Sequence, residues 1–193
     1  ILLFYQSPLY SKTQTLNDFN THHLSNYFSG IVAYDNNNNP EALKFFKSSK
    51  YLIKKHNSYL ESYINALVLE GRVQQAASEI KQNLTKNNSN FFEAYLLLAV
   101  DSLKKKNYKK SKEHLKKSYE FINNDRLSLI VAETLNQYLY VFEENKISKK
   151  NKFGNFSFIN EVFQRCYLDD KKTKVYFNNL INSQNDVNYS RYI

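Results

Sequence analysis

At 193 residues, with 42% hydrophobic and 16% aromatic side chains and a formal net charge of +9, the chain carries enough apolar material for one domain or a short array of small units, which excludes wholesale disorder. Three Gly and two Pro are too few to punctuate a β-sandwich or barrel. Gly30, Gly71 and Gly154 stand too far apart to share one loop, which excludes a Gly-rich phosphate loop or dinucleotide fingerprint, and nucleotide-dependent catalysis is not expected.

The positive charge ordinarily points to nucleic acid or an anionic membrane surface. Here the chain is rich in Lys, Asn, Ile, Tyr and Phe and poor in Ala and Gly, the pattern that A+T-rich coding leaves without selection for a ligand. Arginine, the better reader of bases and phosphates, occurs only at Arg72, Arg126, Arg165 and Arg191. Nucleic acid is therefore an unfavoured partner. The single cysteine, Cys166, rules out an internal disulfide and leaves the redox compartment open.

In chain order, Ile1-Leu2-Leu3-Phe4-Tyr5 is apolar, Ser7 to Ser11 is small and mixed, and polarity begins at Lys12. This order is similar to the back half of a secretory signal peptide, with Leu9 and Ser11 at the positions a cleavage site requires, so residues 1–11 are expected to be a signal remnant. Nothing further along approaches the length of a membrane span, and a stable span is not expected.

Three windows then repeat one design. Asn26 to Tyr34 is an apolar-striped helix, followed by a turn at 36–39 and a second helix from Pro40 to Ser49. Ser58 to Leu67, the turn Glu70-Gly71-Arg72-Val73 and Gln74 to Ile80 form the second window. Glu93 to Val100, the turn Lys106-Asn107-Tyr108 and Lys109 to Leu115 form the third. Each second helix opens on a small residue followed four positions later by a large apolar one: Ala42/Phe46, Ala76/Ile80 and Ser111/Leu115. A small side chain lets two helices approach closely, and the large one a turn later fills the space beyond.

The small residues recur at the 34-residue period of the tetratricopeptide repeat, and the chain resembles that family over residues 24–121, best in the first window with Tyr27-Phe28-Ser29-Gly30 and Ala42-x-x-x-Phe46. Three features depart from the family pattern: the first-helix Trp and the closing Pro are missing, and Ser111 replaces Ala. The succession of signal remnant, repeats and Asn-rich connector also resembles exported bacterial members of the family, which implies a periplasmic or envelope location. The resemblance implies an all-α fold of tandem antiparallel helix hairpins stacked as an α-solenoid, with three hairpins in 12–121. It also implies that a protein or peptide partner lies in the concave face formed by the first helices. Carried onto matching positions, that groove would comprise Tyr27, Ile31, Tyr34, Glu61, Asn65, Val68, Glu93, Leu96 and Val100. The Lys and Asn clamp by which some members grip a terminal carboxylate is absent, since Tyr27, Ile31, Glu61 and Glu93 occupy its places.

Beyond the resemblance, Leu127, Val131, Leu135, Tyr138 and Phe142 share one stripe of a helix over 126–143, with Leu129 and Ile130 pointing to burial on two sides. Residues 145–155 read as a loop. Residues 156–168 and 172–181 form a further degenerate hairpin turning at Asp169-Asp170, and 122–193 is expected to be a truncated continuation of the array, since solenoids seal their last face with a polar helix.

No catalytic constellation emerges, and neither cofactor nor metal is expected. His22-His23 point about 100° apart on a helix and lack a metal-binding partner motif. Cys166, remote from every His, reads as a buried, inert thiol. Glu143-Glu144 and Asp169-Asp170 read as solvated helix ends. The lysine run from Lys104 to Lys117 reads as the solvated face of the third hairpin, or else as a patch for an acidic partner, anionic lipid or nucleic acid. The reading that follows is a non-enzymatic scaffold binding a protein or peptide. Its alternatives are an accessory repeat region of a larger envelope enzyme or assembly factor, and a basic binder of nucleic acid or anionic surfaces.

Overall fold

The computed structural model describes residues 21–83, 90–148 and 155–182; the proposed signal remnant and the final residues fall outside that range. The described residues are helical and contain no strand. Nine α-helices occur among them: α1 (Thr21–Asp35), α2 (Asn39–Ser48), α3 (Asn57–Leu69), α4 (Val73–Asn83), α5 (Phe92–Lys104), α6 (Tyr108–Ser118), α7 (Arg126–Glu144), α8 (Asn155–Tyr167) and α9 (Thr173–Asn182). Short 3₁₀ turns follow α2 and α6 at Lys50–Lys54 and Tyr119–Phe121.

The turns inside the first three helix pairs are built alike. Asn37, Gly71 and Lys106 each adopt a left-handed backbone, with φ of 59°, 69° and 56°. At each, the left-handed residue donates its N–H back to the third residue before it, at Tyr34, Val68 and Leu103. The next N–H donates to the fifth residue before it: Asn38 to Ala33, Arg72 to Leu67 and Asn107 to Ser102, at 2.9, 2.8 and 2.9 Å. These bonds satisfy the last carbonyls of the first helix and reverse the chain at once. In two pairs the following residue also starts the second helix: the side-chain oxygens of Asn38 and Asn107 accept from the N–H groups of Glu41 and Lys110. Asp169, at φ 52°, ends α8 with the same two bonds, through Asp169 to Cys166 and Asp170 to Arg165.

Reversal by so tight a turn brings the paired helices close, and the small residues stand where they meet. Ala42, Ala76 and Ser111 are fully buried, as are their large partners Phe46 and Ile80, with Leu115 nearly so. Ser111 keeps its hydroxyl satisfied by donating to the Ala99 carbonyl on α5 (2.7 Å), which explains how Ser stands in for Ala there. In the first pair the approach leaves no room for a side chain at Gly30, where a methyl group would meet the Phe46 ring at 2.7 Å.

Helices pack mainly on their chain neighbours, with added contacts of α1 on α3 and of α5 on α7. Three hydrophobic clusters result. The first joins α1 to α5 around Tyr27, Phe46, Tyr59, Tyr63, Leu67 and Ile80. Its aromatic rings lie 5.8–6.4 Å apart at their centroids, and the buried Tyr59 hydroxyl donates to the Phe46 carbonyl. The second joins α5, α6 and α7 through Phe92, Ala99, Leu115, Ala132 and Leu139. The third is small, with Val162 and Leu180 at its centre.

The α7 stripe differs from the expected one. Leu127 is 68% exposed, and Leu129 and Val131 also face solvent, while Ala132, Leu135 and Leu139 face the second cluster. The side toward α8 mixes polar and aromatic pairs: Asn160 Nδ2 donates to Thr134 (3.3 Å), Gln164 Nε2 to Gln137 (3.3 Å), and the Phe142 ring packs edge-on against Tyr167. These pairs stand in place of the apolar second face that Leu129 and Ile130 led us to expect.

These turns and contacts make two stability predictions. Lysine at a left-handed position is strained and glycine is not, so Lys106→Gly should stabilise by about 0.5–1 kcal/mol and Gly71→Ala destabilise by about 1 kcal/mol, read as opposite shifts of the urea midpoint. Gly30→Ala should destabilise by about 1–2 kcal/mol, since the overlap with Phe46 outweighs the better helix propensity of alanine; a variant as stable as the parent would show that the α1–α2 contact is loose.

Candidate functional site

The residues assigned to a groove separate into two groups. Tyr27 is 5% exposed and belongs to the first cluster, its ring against those of His56, Tyr59 and Phe46. It supports the fold and offers no surface, since α3 and its approach close over it. Ile31 and Tyr34 are half-buried and pack on the same cluster. On α3 and α5 the set is open: Val68 is 38% and Val100 43% exposed, Glu61 and Glu93 are exposed, and Asn65 and Leu96 are partly so.

Glu61 feels the charge of Glu93. Partial desolvation, and then the charge of Glu93, hold the Glu61 carboxyl above its ordinary value. Neither residue has an ion-pair partner among the described residues. The accessible strip is thus acidic and aliphatic, carried by α3 and α5, without the aromatic end that Tyr27 and Tyr34 had implied.

The other singled-out residues have structural explanations. His23 Nδ1 lies 2.9 Å from the Ser48 carbonyl and His22 is 3.3 Å from the Asn26 amide, and no metal-binding group of His, Cys, Asp or Glu occurs among the described residues. Glu143 pairs with Lys112 across α6 and α7. Asp170 pairs with Arg165 and accepts from the Lys172 N–H, which holds its carboxyl below the usual range. Cys166, expected to be buried, is exposed, because α7 and α9 pack on other faces of α8.

The lysine run divides as well. Lys105 and Lys81 both bind the buried Asp101 carboxylate, at 2.9 and 2.6 Å. Their hydrogen bonds, that of Lys105 first, hold Asp101 below the ordinary carboxylate value. This knot joins α4 to α5. Lys109, Lys112 and Lys116 recur at helical spacing along one exposed face of α6. Beside that face lies a cavity of about 780 Å³ lined by Lys112, Asn136, Gln137, Tyr140, Lys146 and Ser148, none of which the repeat pattern points to except Lys112.

The fold and its surfaces define the class, an all-helical protein of antiparallel helix pairs. No helix among the described residues is long and apolar enough to cross a membrane. No family model matches the chain, and no curated protein or solved structure matches it either.

The two perturbed carboxyls have opposite linkage to stability. Raised in the fold, Glu61 makes the folded state hold protons that the unfolded chain lacks, so its contribution is lost as pH rises above 4.5, the ordinary value. Asp101, lowered in the fold, contributes fully above its ordinary 3.8 and loses that contribution as pH falls below it. Urea denaturation at pH 7 should therefore find Glu61→Gln more stable than the parent, with the difference vanishing below pH 4.5. Asp101→Asn should cost about 1–2 kcal/mol at pH 7 and less in acid; Glu61→Gln being the less stable at pH 7 would contradict the desolvation of that carboxyl.

Proposed function

We propose that the chain is a non-enzymatic scaffold of tetratricopeptide-like hairpins that holds a protein or peptide against the first helices of its pairs. The observation that supports the repeat reading most is a coincidence of two independent features. The left-handed turn residues Asn37, Gly71 and Lys106 keep the same spacing as the buried small residues Ala42, Ala76 and Ser111. A turn and a packing contact that recur together mark one supersecondary unit used three times.

The binding reading draws support from α3 and α5, where Val68 and Val100 remain open beside Glu61 and Glu93. Apolar side chains flanked by unpaired carboxylates suit an extended or helical segment that brings apolar anchors and cationic neighbours. The exported, envelope setting in this proposal rests on the character of residues 1–11.

The test compares the partner sets captured by the parent and by Val68→Asp/Val100→Asp, with circular dichroism to verify that the variant is folded. A partner retained by the parent should be lost at least tenfold in the variant, the effect of placing two charges in an apolar contact. An unchanged partner set would remove the α3–α5 face from the function.

A further inference from the structure

The α7 helix departs from the design of the three pairs before it. Each earlier first helix is followed, across a three-residue turn, by an antiparallel partner. After α7 the chain crosses residues 145–154 and enters α8. Contacts then climb both helices in the same direction: Thr134 and Tyr138 meet Asn160, Gln137 meets Gln164, and Phe142 meets Tyr167. So α8 runs parallel to α7, as one first helix runs beside the next, and no second helix paired with α7 in the manner of the earlier pairs occurs among the described residues. The described part of the return stretch lies against α7 and α8, where Ser148 N–H donates to Gln164 Oε1 (2.9 Å).

The cavity of about 780 Å³ lies on this side of α7, between it, Lys112 of α6 and the stretch Lys146-Ile147-Ser148. A helix with side chains is about 10 Å across and rises 1.5 Å per residue, so this volume corresponds to roughly two turns. That is far more than an ion needs. The lining joins cationic and amide groups to apolar surface: Lys112 and Lys146, the amides of Asn136 and Gln137, and Tyr140 with Ile147, while Lys109 and Lys116 lie outside it along the same face of α6. Glu143, paired with Lys112, is the acidic residue at its edge.

From this geometry we infer that the slot between α6 and α7 is a second docking site, distinct from the α3–α5 face, for an acidic helical segment of another polypeptide. Charge selects the occupant. A second copy of this chain, at +9, would be repelled. The chain's own remaining stretches do not fit: 84–89 and 149–154 are basic, while 1–20 and 183–193 each balance one acidic residue against one basic one. A nucleic acid fits less well, because the slot holds no Arg and offers Tyr140 as its one ring. In this arrangement Lys112, already oriented by Glu143, and Lys146 flank the incoming carboxylates, and Tyr140 lies beneath the segment.

The test is a fluorescence-anisotropy titration of the whole chain with a labelled Glu/Leu/Ala helical peptide of about four turns. Its Lys/Leu/Ala counterpart and a short oligothymidylate serve as comparison probes. The acidic peptide should bind, its affinity should fall with added salt, and the Lys counterpart should not bind. Lys116→Glu/Lys146→Glu should weaken binding at least tenfold. Lys44→Glu/Lys47→Glu on α2, the same change in net charge elsewhere, should alter it less than twofold, and Val68→Asp/Val100→Asp should leave it unchanged. If the slot variant fails to fold by circular dichroism, Lys146→Gln alone should weaken binding about threefold. Equal losses in the slot and α2 variants, no binding of the acidic peptide, or tighter Lys146-dependent binding of the oligothymidylate would each overturn the proposal. A functional α3–α5 face would survive any of these results.

Discussion

The left-handed residue at the end of each first helix is the constraint from which the rest follows. A helix that ends with three or four unsatisfied carbonyls has to find donors for them, and the turn at Asn37, Gly71 and Lys106 supplies two within two residues. Because the reversal is so short, the second helix has one place to go: flat against the first. Only then does a small side chain at Ala42, Ala76 or Ser111 become a necessity. The aromatic stack of Tyr27, Phe46, Tyr59 and Tyr63 fills what the close approach leaves open. Backbone hydrogen bonding thus fixes the geometry, and hydrophobic burial stabilises it.

Much of this could be read before any coordinates, for a physical reason. Helix pairing is written in local signals, spaced three and four residues apart, and in a period that repeats, so it survives without reference to distant residues. The hairpin turning at Asp169 was legible in the same way. The α7 helix was legible as an element and its surface in part: Leu135, Tyr138 and Phe142 pack on neighbours as expected, while Leu127 and Val131 face solvent. Its apolar residues Leu127 and Val131 outnumber what its neighbours can cover, while Ala132 and the amides of Gln137 and Gln164 make the contacts. Sequence spacing ranks side chains by hydrophobicity, and packing ranks them by what lies opposite.

The candidate surfaces were legible to different degrees. Val68, Val100, Glu61 and Glu93 were named from a family resemblance carried onto matching positions, and they lie exposed on α3 and α5. Tyr27 misled, since nothing local signals that His56 and Tyr59 close over it. The slot beside α7 left no local trace. Lys146 and Ser148 lie in a stretch that reads as a loop, and they line a cavity only because the chain returns to start α8 parallel to α7. The lysine run likewise gains meaning only in three dimensions, where Lys105 turns inward to Asp101 and Lys112 faces the slot.

Three separate clusters, in place of one shared core, have a consequence for how the molecule comes apart. Cooperativity is transmitted by side chains that belong to two neighbours at once, as Ala94 and Leu98 of α5 do for the first cluster. Between α7 and α8 that role falls to a few side-chain hydrogen bonds, each worth about 1 kcal/mol, and to the edge-on contact of Phe142 with Tyr167, and the cluster beyond them centres on Val162 and Leu180. Unfolding of such a chain is expected to be graded, with the amides of α8 and α9 opening to solvent at lower energy than those of α3, which is held from both sides. The seam at α7 is thus the most lightly held junction with a neighbouring cluster, and the last hairpin is expected to open before the first two clusters do.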